Sequence, residues 1–367
     1  MVRILLTSDL HLGGNGNQPV RQPERLITLK KIITLAKNHD LLLIAGDLFD
    51  SPSPPEELVS EVSSLFGILR KKGAHILITP GETEYVNDTV PDFMRRLGAD
   101  MVFSDNDSDP FVFDHEGQKI FVYGLPHSSR DNLSRLKKKE ESGFHVGLFH
   151  TLVDDTSTSS ETLRVEDLKS RTLDFYALGH NHNFKLYKYM DTIVGAYPGS
   201  PEGSGSDETG DRYVLSLTVE DNELTQIKRL TVNTIRIASK TVDCAETDCD
   251  SLFSILSTMQ DPKCCAIITL TGRRPYLIPE DRLSGMREKF YDIVIMDESH
   301  LSLQSLADEY AGEKSLRGDY FRRIADSIRS GTIPADTDLN KLADLLSRIA
   351  KDDQATEEET LCALLNA

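Results

Sequence analysis

The sequence is poor in the features that mark secreted, membrane-bound and zinc-finger proteins. Its 367 residues include five cysteines and no Cys-x-x-Cys pair, which argues against a disulfide framework or a cysteine zinc site. No apolar run approaches the ~20 residues that a membrane helix needs. The N-terminal segment becomes polar too soon for a signal peptide. These absences predict a cytoplasmic protein with no membrane partner.

Positive charge is also in short supply. The chain has 41 lysines and arginines against 59 aspartates and glutamates, which gives a formal net charge of −18 at pH 7. A general nucleic-acid coat protein needs clustered cations, so this balance argues against that class. A metal-dependent enzyme that acts on phosphates is still compatible with it, because bound divalent cations offset nearby carboxylates.

Strands and helices are predicted to alternate through the first two thirds of the chain. Short apolar runs predict buried strands, and apolar residues at helical spacing predict helices between them. The predicted strands are residues 2–6, 41–45, 74–79, 145–149 and 175–178, with helices at 24–38 and 56–72. This alternation is typical of a layered α/β sheet covered by helices. The chain is too long for one compact core, which favours two domains and a tail.

Four of these strands are followed by residues of the kind that bind metals. They are Asp9 with His11, Asp47, His150, and His180 with His182. Considered alone, Asp47 could cap the next helix, and each histidine could be a surface or hydrogen-bonded core residue. As a set they favour a metal site, because α/β proteins bind ligands at the ends of such strands. Mixed imidazole and carboxylate ligands suit Mn, Fe or Zn better than Ca or Mg.

The segments that carry these residues resemble known enzymes. Ser-Asp-Leu-His-Leu-Gly at 8–13, Gly-Asp-Leu-Phe-Asp at 46–50, the lone His150 and Gly-His-Asn-His at 179–182 resemble the calcineurin-like metallophosphoesterases, and within them the Mre11/SbcD nucleases. The resemblance implies an α/β fold with a layered β-sandwich flanked by helices, a small α/β capping domain and a helical C-terminal tail. The implied boundaries are 1–230 for the metallophosphoesterase domain, 231–312 for the DNA-guiding capping domain and 313–367 for the helical segment.

The same resemblance implies two divalent metal ions, with Mn expected and Fe or Zn as alternatives. The first ion would be held by Asp9, His11, Asp47 and His182. The second would be held by Asp47, His150 and His180, so that Asp47 bridges the two ions. Asp50 matches a position that supports the site from behind by orienting a ligand or the substrate.

The sequence departs from the family pattern after the third strand. The family has Gly-Asn-His-Asp or Gly-Asn-His-Glu there, and this chain has Gly81-Glu82-Thr83-Glu84. Glu82 stands in place of the Asn ligand, and its carboxylate could still bind the second metal. Thr83 stands in place of the histidine that protonates the leaving group, and the loss of such an acid typically costs ~10²–10⁴ in rate. His127 could substitute for it, or it could be a loop histidine that faces solvent.

The last third of the chain is predicted to form the capping unit and the tail. A β-α-β-α-β pattern resembles the capping domain, where Arg273, Arg274 and Tyr276 form either a DNA backbone contact or an exposed polar turn. Helices are predicted at 316–330, 339–350 and 358–365. They either pack on their own domain or, as the resemblance implies, bind a Rad50/SbcC-like ATPase. The family also often forms homodimers.

Two functions follow from these patterns. The first is a metal-dependent DNA phosphodiesterase, exo- or endonuclease, that acts in DNA repair with a Rad50/SbcC-like ATPase. The alternative is a catalytically weak or inactive metal-binding scaffold subunit of such a complex. The pair Glu82-Thr83 separates the two hypotheses, because it affects catalysis more than metal binding.

Overall fold

The computed structural model describes residues 1–14, 20, 22–85, 89–104, 109–125, 133, 136–156, 162–170, 172–274, 276, 278–301 and 312–332. The chain divides into two compact units, Met1–Ile237 and Ala238–Ala367. Within the described ranges, no helix is both long and apolar enough to cross a membrane.

Two six-stranded sheets build the first unit. Its strands are β1 (Val2–Thr7), β2 (Leu41–Ala45), β3 (His75–Thr79), β4 (Met101–Val102), β5 (Phe111–His115), β6 (Gln118–Leu125), β7 (Phe144–His150), β8 (Phe175–Gly179), β9 (Lys185–Tyr189), β10 (Thr192–Tyr197), β11 (Tyr213–Glu220) and β12 (Glu223–Thr231). One sheet has the order β12-β11-β1-β2-β3-β4 and the other β5-β6-β7-β8-β10-β9. The central strands of both sheets are parallel.

The helices of the first unit are α1 (Gln22–Ala36), α2 (Glu56–Arg70), α3 (Asp92–Arg96) and α4 (Val165–Lys169). Alternate residues of β1 point to opposite faces of its sheet, as strand geometry requires. Ile4 joins a buried cluster contributed by both sheets, and Leu5 joins a cluster that includes Leu29 of α1 and Phe66 of α2. The result is a β-sandwich flanked by helices, which confirms the predicted layered α/β fold.

The two sheets approach each other closely at the carboxyl ends of β2 and β8. A Cβ atom on Gly179, at the end of β8, would lie 1.7 Å from the carbonyl oxygen of Ala45, at the end of β2. Only glycine permits this approach. The His150 Nδ1 atom, at the end of β7, lies 2.9 Å from the same carbonyl oxygen. The ends of strands from both sheets therefore meet at one place.

The second unit has a smaller sheet of its own. Its elements are β13 (Arg236–Asp243), α5 (Cys249–Thr258), β14 (Asp261–Thr271), β15 (Arg273–Arg274), α6 (Glu280–Arg287), β16 (Phe290–Asp297), β17 (His300–Leu301) and α7 (Leu316–Arg329). The sheet has the order β13-β14-β16, with β14 and β16 parallel. The role of this unit in guiding DNA stays a prediction, and the helices predicted at 339–350 and 358–365 lie outside the described residues.

The two adjacent arginines of the second unit differ in exposure, because Arg273 is exposed and Arg274 is buried, whereas the sequence suggested a DNA contact or an exposed polar turn for both. Arg274 is only 8% exposed, and its guanidinium binds Asp297 Oδ2 at 2.7 Å, Ser299 Oγ at 3.0 Å and the Tyr276 carbonyl oxygen at 2.9 Å. Each of these partners lies within the unit, so Arg274 stabilises the fold and is not available to a phosphate backbone.

Candidate metal centre

The residues that follow the strands have unusual backbone conformations. Asp9, His11, Asp47 and His180 have φ angles of 52°, 49°, 48° and 95°, in the left-handed region that non-glycine residues rarely adopt. Each such residue costs roughly 1–3 kcal/mol, and this kind of strain concentrates at functional sites. Here it falls on four of the seven residues predicted to bind metal.

Five of the seven predicted ligands lie together in two groups of side chains. The first group is Asp9, His11 and His182, and the second is Asp9, Asp47 and His150. In each group the possible ligand atoms all lie within 4.8 Å of one another. Asp9 belongs to both groups. The side chains are buried except for that of His182, which is half-buried, so the site is shielded from bulk water on most sides.

Asp47 lies between the histidines of the two groups. Its Oδ2 atom is 3.8 Å from His11 Nε2 and 3.5 Å from His150 Nε2. Burial raises the pKa of Asp47. The neighbouring His150 and His11 and the hydrogen bonds from Thr83 lower it by a larger amount, so the net pKa is below its ordinary value. A buried carboxylate that is ionised at neutral pH suits the bridging position that the resemblance implies.

Three imidazole rings are held in the same manner, with Nδ1 bound from behind. His11 Nδ1 is 3.0 Å from Asp50 Oδ1, His182 Nδ1 is 2.8 Å from Glu208 Oε1, and His150 Nδ1 is 2.9 Å from the Ala45 carbonyl oxygen. These acceptors favour a proton on each Nδ1, which leaves each Nε2 with a lone pair. This is the arrangement of metal-binding histidines.

The unprotonated Nε2 atoms face other electron-rich atoms. His150 Nε2 is buried, has no hydrogen-bond partner among the described residues, and lies 3.5 Å from Asp47 Oδ2. His11 Nε2 and His182 Nε2 are 3.2 Å apart. Lone pairs opposed in this way are unfavourable unless a proton or a metal cation lies between them. The donor set therefore fits divalent cations, and mixed imidazole and carboxylate ligands suit Mn, Fe or Zn.

His180 and Glu82 lie outside the two compact groups. The His180 backbone N–H donates to Asp9 Oδ1 at 3.0 Å, and its Nδ1 lies 3.4 Å from Glu82 Oε1. Burial, followed by the charge of His150, lowers the pKa of His180. The Glu82 side chain is 54% exposed. The predicted roles of both residues as ligands of the second metal stay predictions.

The turn at Gly81-Glu82-Thr83 packs directly on Asp47. The Thr83 hydroxyl lies 2.9 Å from Asp47 Oδ1 and 2.7 Å from the Phe49 carbonyl oxygen, and the Thr83 backbone N–H donates to Asp47 Oδ1 at 3.3 Å. A Cβ atom on Gly81 would lie 2.1 Å from the same Oδ1 atom. Thr83, which the resemblance matches to the family's acid, therefore supports the central carboxylate.

Two further acidic side chains support the site, and neither is among the predicted ligands. Glu84 is fully buried and accepts from the Phe49 and Gly81 backbone N–H groups at 2.7 and 3.2 Å. Burial and the charge of Asp47 raise the pKa of Glu84 to about 8. Its place in the third motif was a usable signal. Glu208 lies in a polar loop, and no feature of the sequence connected it to His182.

A buried arginine supports the first ligand loop. Arg25 of α1 is 1% exposed, and its guanidinium donates to the Leu10 carbonyl oxygen at 3.0 Å and to Ser204 Oγ at 2.9 Å. Leu10 lies between Asp9 and His11, so this hydrogen bond fixes the peptide that carries both residues. Asp50 contacts His11, where the resemblance expects it. His127 lies outside the described residues.

This fold and site define a metallophosphoesterase, and comparison with known proteins gives the family. The family described as "Calcineurin-like phosphoesterase" matches residues 2–184. The chain therefore belongs to the calcineurin-like metallophosphoesterases, as its motifs predicted.

Similar proteins include members of the predicted branch. The chain is 25% identical over 276 residues to a component of the nuclease SbcCD of Escherichia coli, across 63% of this chain and 68% of that protein. It is 21% identical over 220 residues to the DNA double-strand break repair protein Mre11 of Methanopyrus kandleri, across 55% and 49%. It is 24% identical over 193 residues to the uncharacterized metallophosphoesterase YhaO of Bacillus subtilis, across 50% and 46%. The chain thus spans about half the length of two of these relatives.

Proposed function

We propose that this metallophosphoesterase is a DNA phosphodiesterase, an exo- or endonuclease of the Mre11/SbcD type that acts in DNA repair. Its cofactors are two divalent metal ions, with Mn as the expected metal. The observation that carries the proposal is the convergence of three imidazole rings and two buried carboxylates at the strand ends. The similarity to a nuclease component and to a double-strand break repair protein supports DNA as the substrate.

The predicted ligand residues would bind the two metal ions as follows. Asp9, His11, Asp47 and His182 would hold one cation, and Asp47, His150, His180 and Glu82 would hold the other. When bound, the cations supply Lewis acidity toward a phosphodiester and a nucleophilic water near neutral pH. The residues behind the histidines fix the direction of each Nε2 lone pair, and burial excludes competing water from most of the site.

A specific observation favours a second candidate, a weakly catalytic scaffold subunit. The Thr83 hydroxyl is directed at Asp47 and the Phe49 carbonyl oxygen, both within 2.9 Å. The threonine hydroxyl is too weak an acid to protonate a leaving group near neutral pH, and the absence of a general acid typically costs about 10²–10⁴ in rate. Such a protein would bind its metals and hydrolyse DNA slowly.

The test is Mn-dependent hydrolysis of single-stranded DNA, measured together with Mn binding by calorimetry. Asp47→Asn is the inactivating variant, and Asp191→Asn, in an exposed turn, is the matched control. If the protein is a nuclease, wild type and Asp191→Asn cleave DNA and Asp47→Asn does not. A scaffold subunit binds Mn but cleaves DNA slowly or not at all. If neither wild type nor Asp191→Asn binds Mn, the proposed metal centre is wrong.

Thr83→His separates the two candidates further. If the missing acid limits the rate, a histidine at this position should raise hydrolysis by up to about 10²-fold. Unchanged hydrolysis, with intact Mn binding, would show that the family's acid is not what limits this site. An isothermal titration of Thr83→His with Mn distinguishes a lost metal site from an ineffective acid.

We further propose the assembly that the branch suggests, which is a cytoplasmic complex with a Rad50/SbcC-like ATPase and a homodimeric phosphoesterase. The support is the similarity to a component of nuclease SbcCD. Co-elution of the full chain with the coiled coil of such an ATPase tests this, with a chain truncated after residue 312 as the control. Equal co-elution of both chains would contradict a role for residues 313–367.

A further inference from the structure

A buried carboxylate contacts the Nδ1 atom of the His182 ring. Glu208 is 5% exposed, and its Oε1 atom lies 2.8 Å from His182 Nδ1. Its Oε2 atom accepts from Ser200 Oγ at 2.6 Å and from the Ser204 backbone N–H at 3.1 Å. Both oxygens are therefore committed to donors. Among the described residues, Glu208 contacts His182 at Nδ1 and contacts none of the atoms that are predicted to bind metal.

The backbone of His182 is held from the same side. Arg212 is 6% exposed and donates to the His182 carbonyl oxygen, to Asn183 Oδ1 at 3.0 Å and to the Ser200 carbonyl oxygen at 2.9 Å. Its guanidinium also lies 3.8 Å from Glu208 Oε2. The ring and the peptide of His182 are thus fixed by one network, which limits the directions that Nε2 can take.

We propose that Glu208 is a positioning residue that holds His182 as the Nδ1–H tautomer, with the Nε2 lone pair directed at the first metal. The proposal rests on the proposed metal centre. A carboxylate can only accept, so its contact with Nδ1 requires the proton there. The other tautomer would place a proton on Nε2, where a cation binds, and would leave Glu208 facing a second lone pair.

Glu208→Gln tests this role because glutamine has nearly the same shape as glutamate and carries an amide NH₂ in place of one carboxylate oxygen. The Ser204 backbone N–H can only donate, so the glutamine oxygen replaces Oε2 and the amide NH₂ faces His182 Nδ1. A donor at that point selects the Nε2–H tautomer, which blocks the metal. We expect Mn affinity to fall about 10–100-fold, the usual effect of losing a partner behind a metal ligand.

Glu202→Gln is the matched control. Glu202 is also a buried glutamate of this loop, 1% exposed, but it binds Thr28 Oγ1 and the Thr234 and Ile235 backbone N–H groups and contacts no predicted ligand. Its substitution should reduce stability and leave Mn affinity within about threefold of wild type. Equal losses of Mn affinity in both variants would mean that the loop acts only through general stability.

The tautomer itself can be observed in metal-free protein. Nitrogen NMR of ¹⁵N-histidine-labelled chain distinguishes protonated from unprotonated ring nitrogens. Because Glu208 raises the pKa of His182, spectra are compared at increasing pH up to about 9.5, well above the ordinary histidine pKa, so that the neutral ring is observed. His182→Gln assigns the signals by their disappearance. Wild type should show Nδ1–H and Glu208→Gln should show Nε2–H, whereas a purely structural role would leave the tautomer unchanged.

The outcomes separate this proposal from the proposed function. Nε2–H in wild type, or wild-type Mn affinity in Glu208→Gln, overturns the role of Glu208 while the metal centre stands. Absence of Mn binding by wild type overturns the metal centre instead. If Glu208→Gln does not fold, as judged by circular dichroism, Glu208→Asp replaces it. The shorter carboxylate no longer reaches Nδ1, so the same loss of Mn affinity is expected and wild-type affinity would again refute the role.

Discussion

Replacing Thr83 by valine should weaken the site without changing its shape. Valine is close to threonine in volume but cannot donate to Asp47 Oδ1, 2.9 Å away, or to the Phe49 carbonyl oxygen. The Thr83 backbone N–H to Asp47 is retained. A hydrogen bond to a charged group contributes about 1.5–3 kcal/mol, and Thr83 is only half-buried. We therefore expect the free energy of unfolding to fall by about 1.5 kcal/mol.

The same substitution should also lower metal affinity. With Oδ1 less restrained, the Asp47 carboxylate can rotate, and Oδ2 no longer keeps its place between His11 and His150. We expect Mn to bind about tenfold more weakly, as for other lost partners of metal ligands. Calorimetry measures the affinity. Urea unfolding followed by circular dichroism measures stability, because the chain has no tryptophan to report by fluorescence.

A double-mutant cycle checks that the effect passes through Asp47. Thr83→Val, Asp47→Ala and the double variant should show a coupling free energy of about 1 kcal/mol. Additivity within about 0.3–0.5 kcal/mol would refute the reasoning, because independent sites behave in that way. Thr225→Val, at an exposed threonine of β12, is the control and should change stability by no more than about 0.5 kcal/mol.

Three further predictions follow from the structure. Gly81→Ala should abolish Mn binding because its Cβ would lie 2.1 Å from Asp47 Oδ1, whereas Gly67→Ala, with open space in α2, should stabilise the protein by about 0.5–1 kcal/mol in thermal unfolding. Burial lowers the pKa of His39, so the unfolded state binds the proton more tightly; stability should fall as pH drops below about 6.5, and His39→Gln should flatten that slope in urea titrations. Arg274→Gln should lower the unfolding free energy but leave the KM for single-stranded DNA unchanged, and a raised KM would restore the DNA-contact interpretation.

The sequence was sufficient to predict the sheets and to bring most of the candidate ligand residues to one place. Buried parallel strands have a recognisable composition, and their carboxyl ends meet by geometry, so Asp9, Asp47 and His150 could be grouped from the sequence alone. The groups that the structure brings together contain these three residues with His11 and His182. The layered fold was predicted correctly for the same reason, and the family was predicted correctly from the resemblance of the motifs.

The supporting residues could not be derived in this way. Glu208 contacts His182 across 26 residues, and Arg25 reaches Ser204 across 179, through a loop whose path no periodicity encodes. The direction of Thr83 was also hidden, because a turn residue can face inward or outward. Arg274 shows the same limit, since adjacent arginines in a sequence do not reveal which one is buried.

The left-handed residues at the strand ends affect how this protein would respond to selection for heat resistance. Asparagine and glycine adopt positive φ more readily than aspartate or histidine. Replacing Asp9 by either residue would relieve backbone strain and remove the repulsion between two buried carboxylates, and replacing His11 would relieve backbone strain. A screen that scored only the melting temperature in the presence of a chelator would therefore enrich variants that have lost their metal ligands. Stabilising this scaffold while keeping its chemistry requires selection in the presence of the metal.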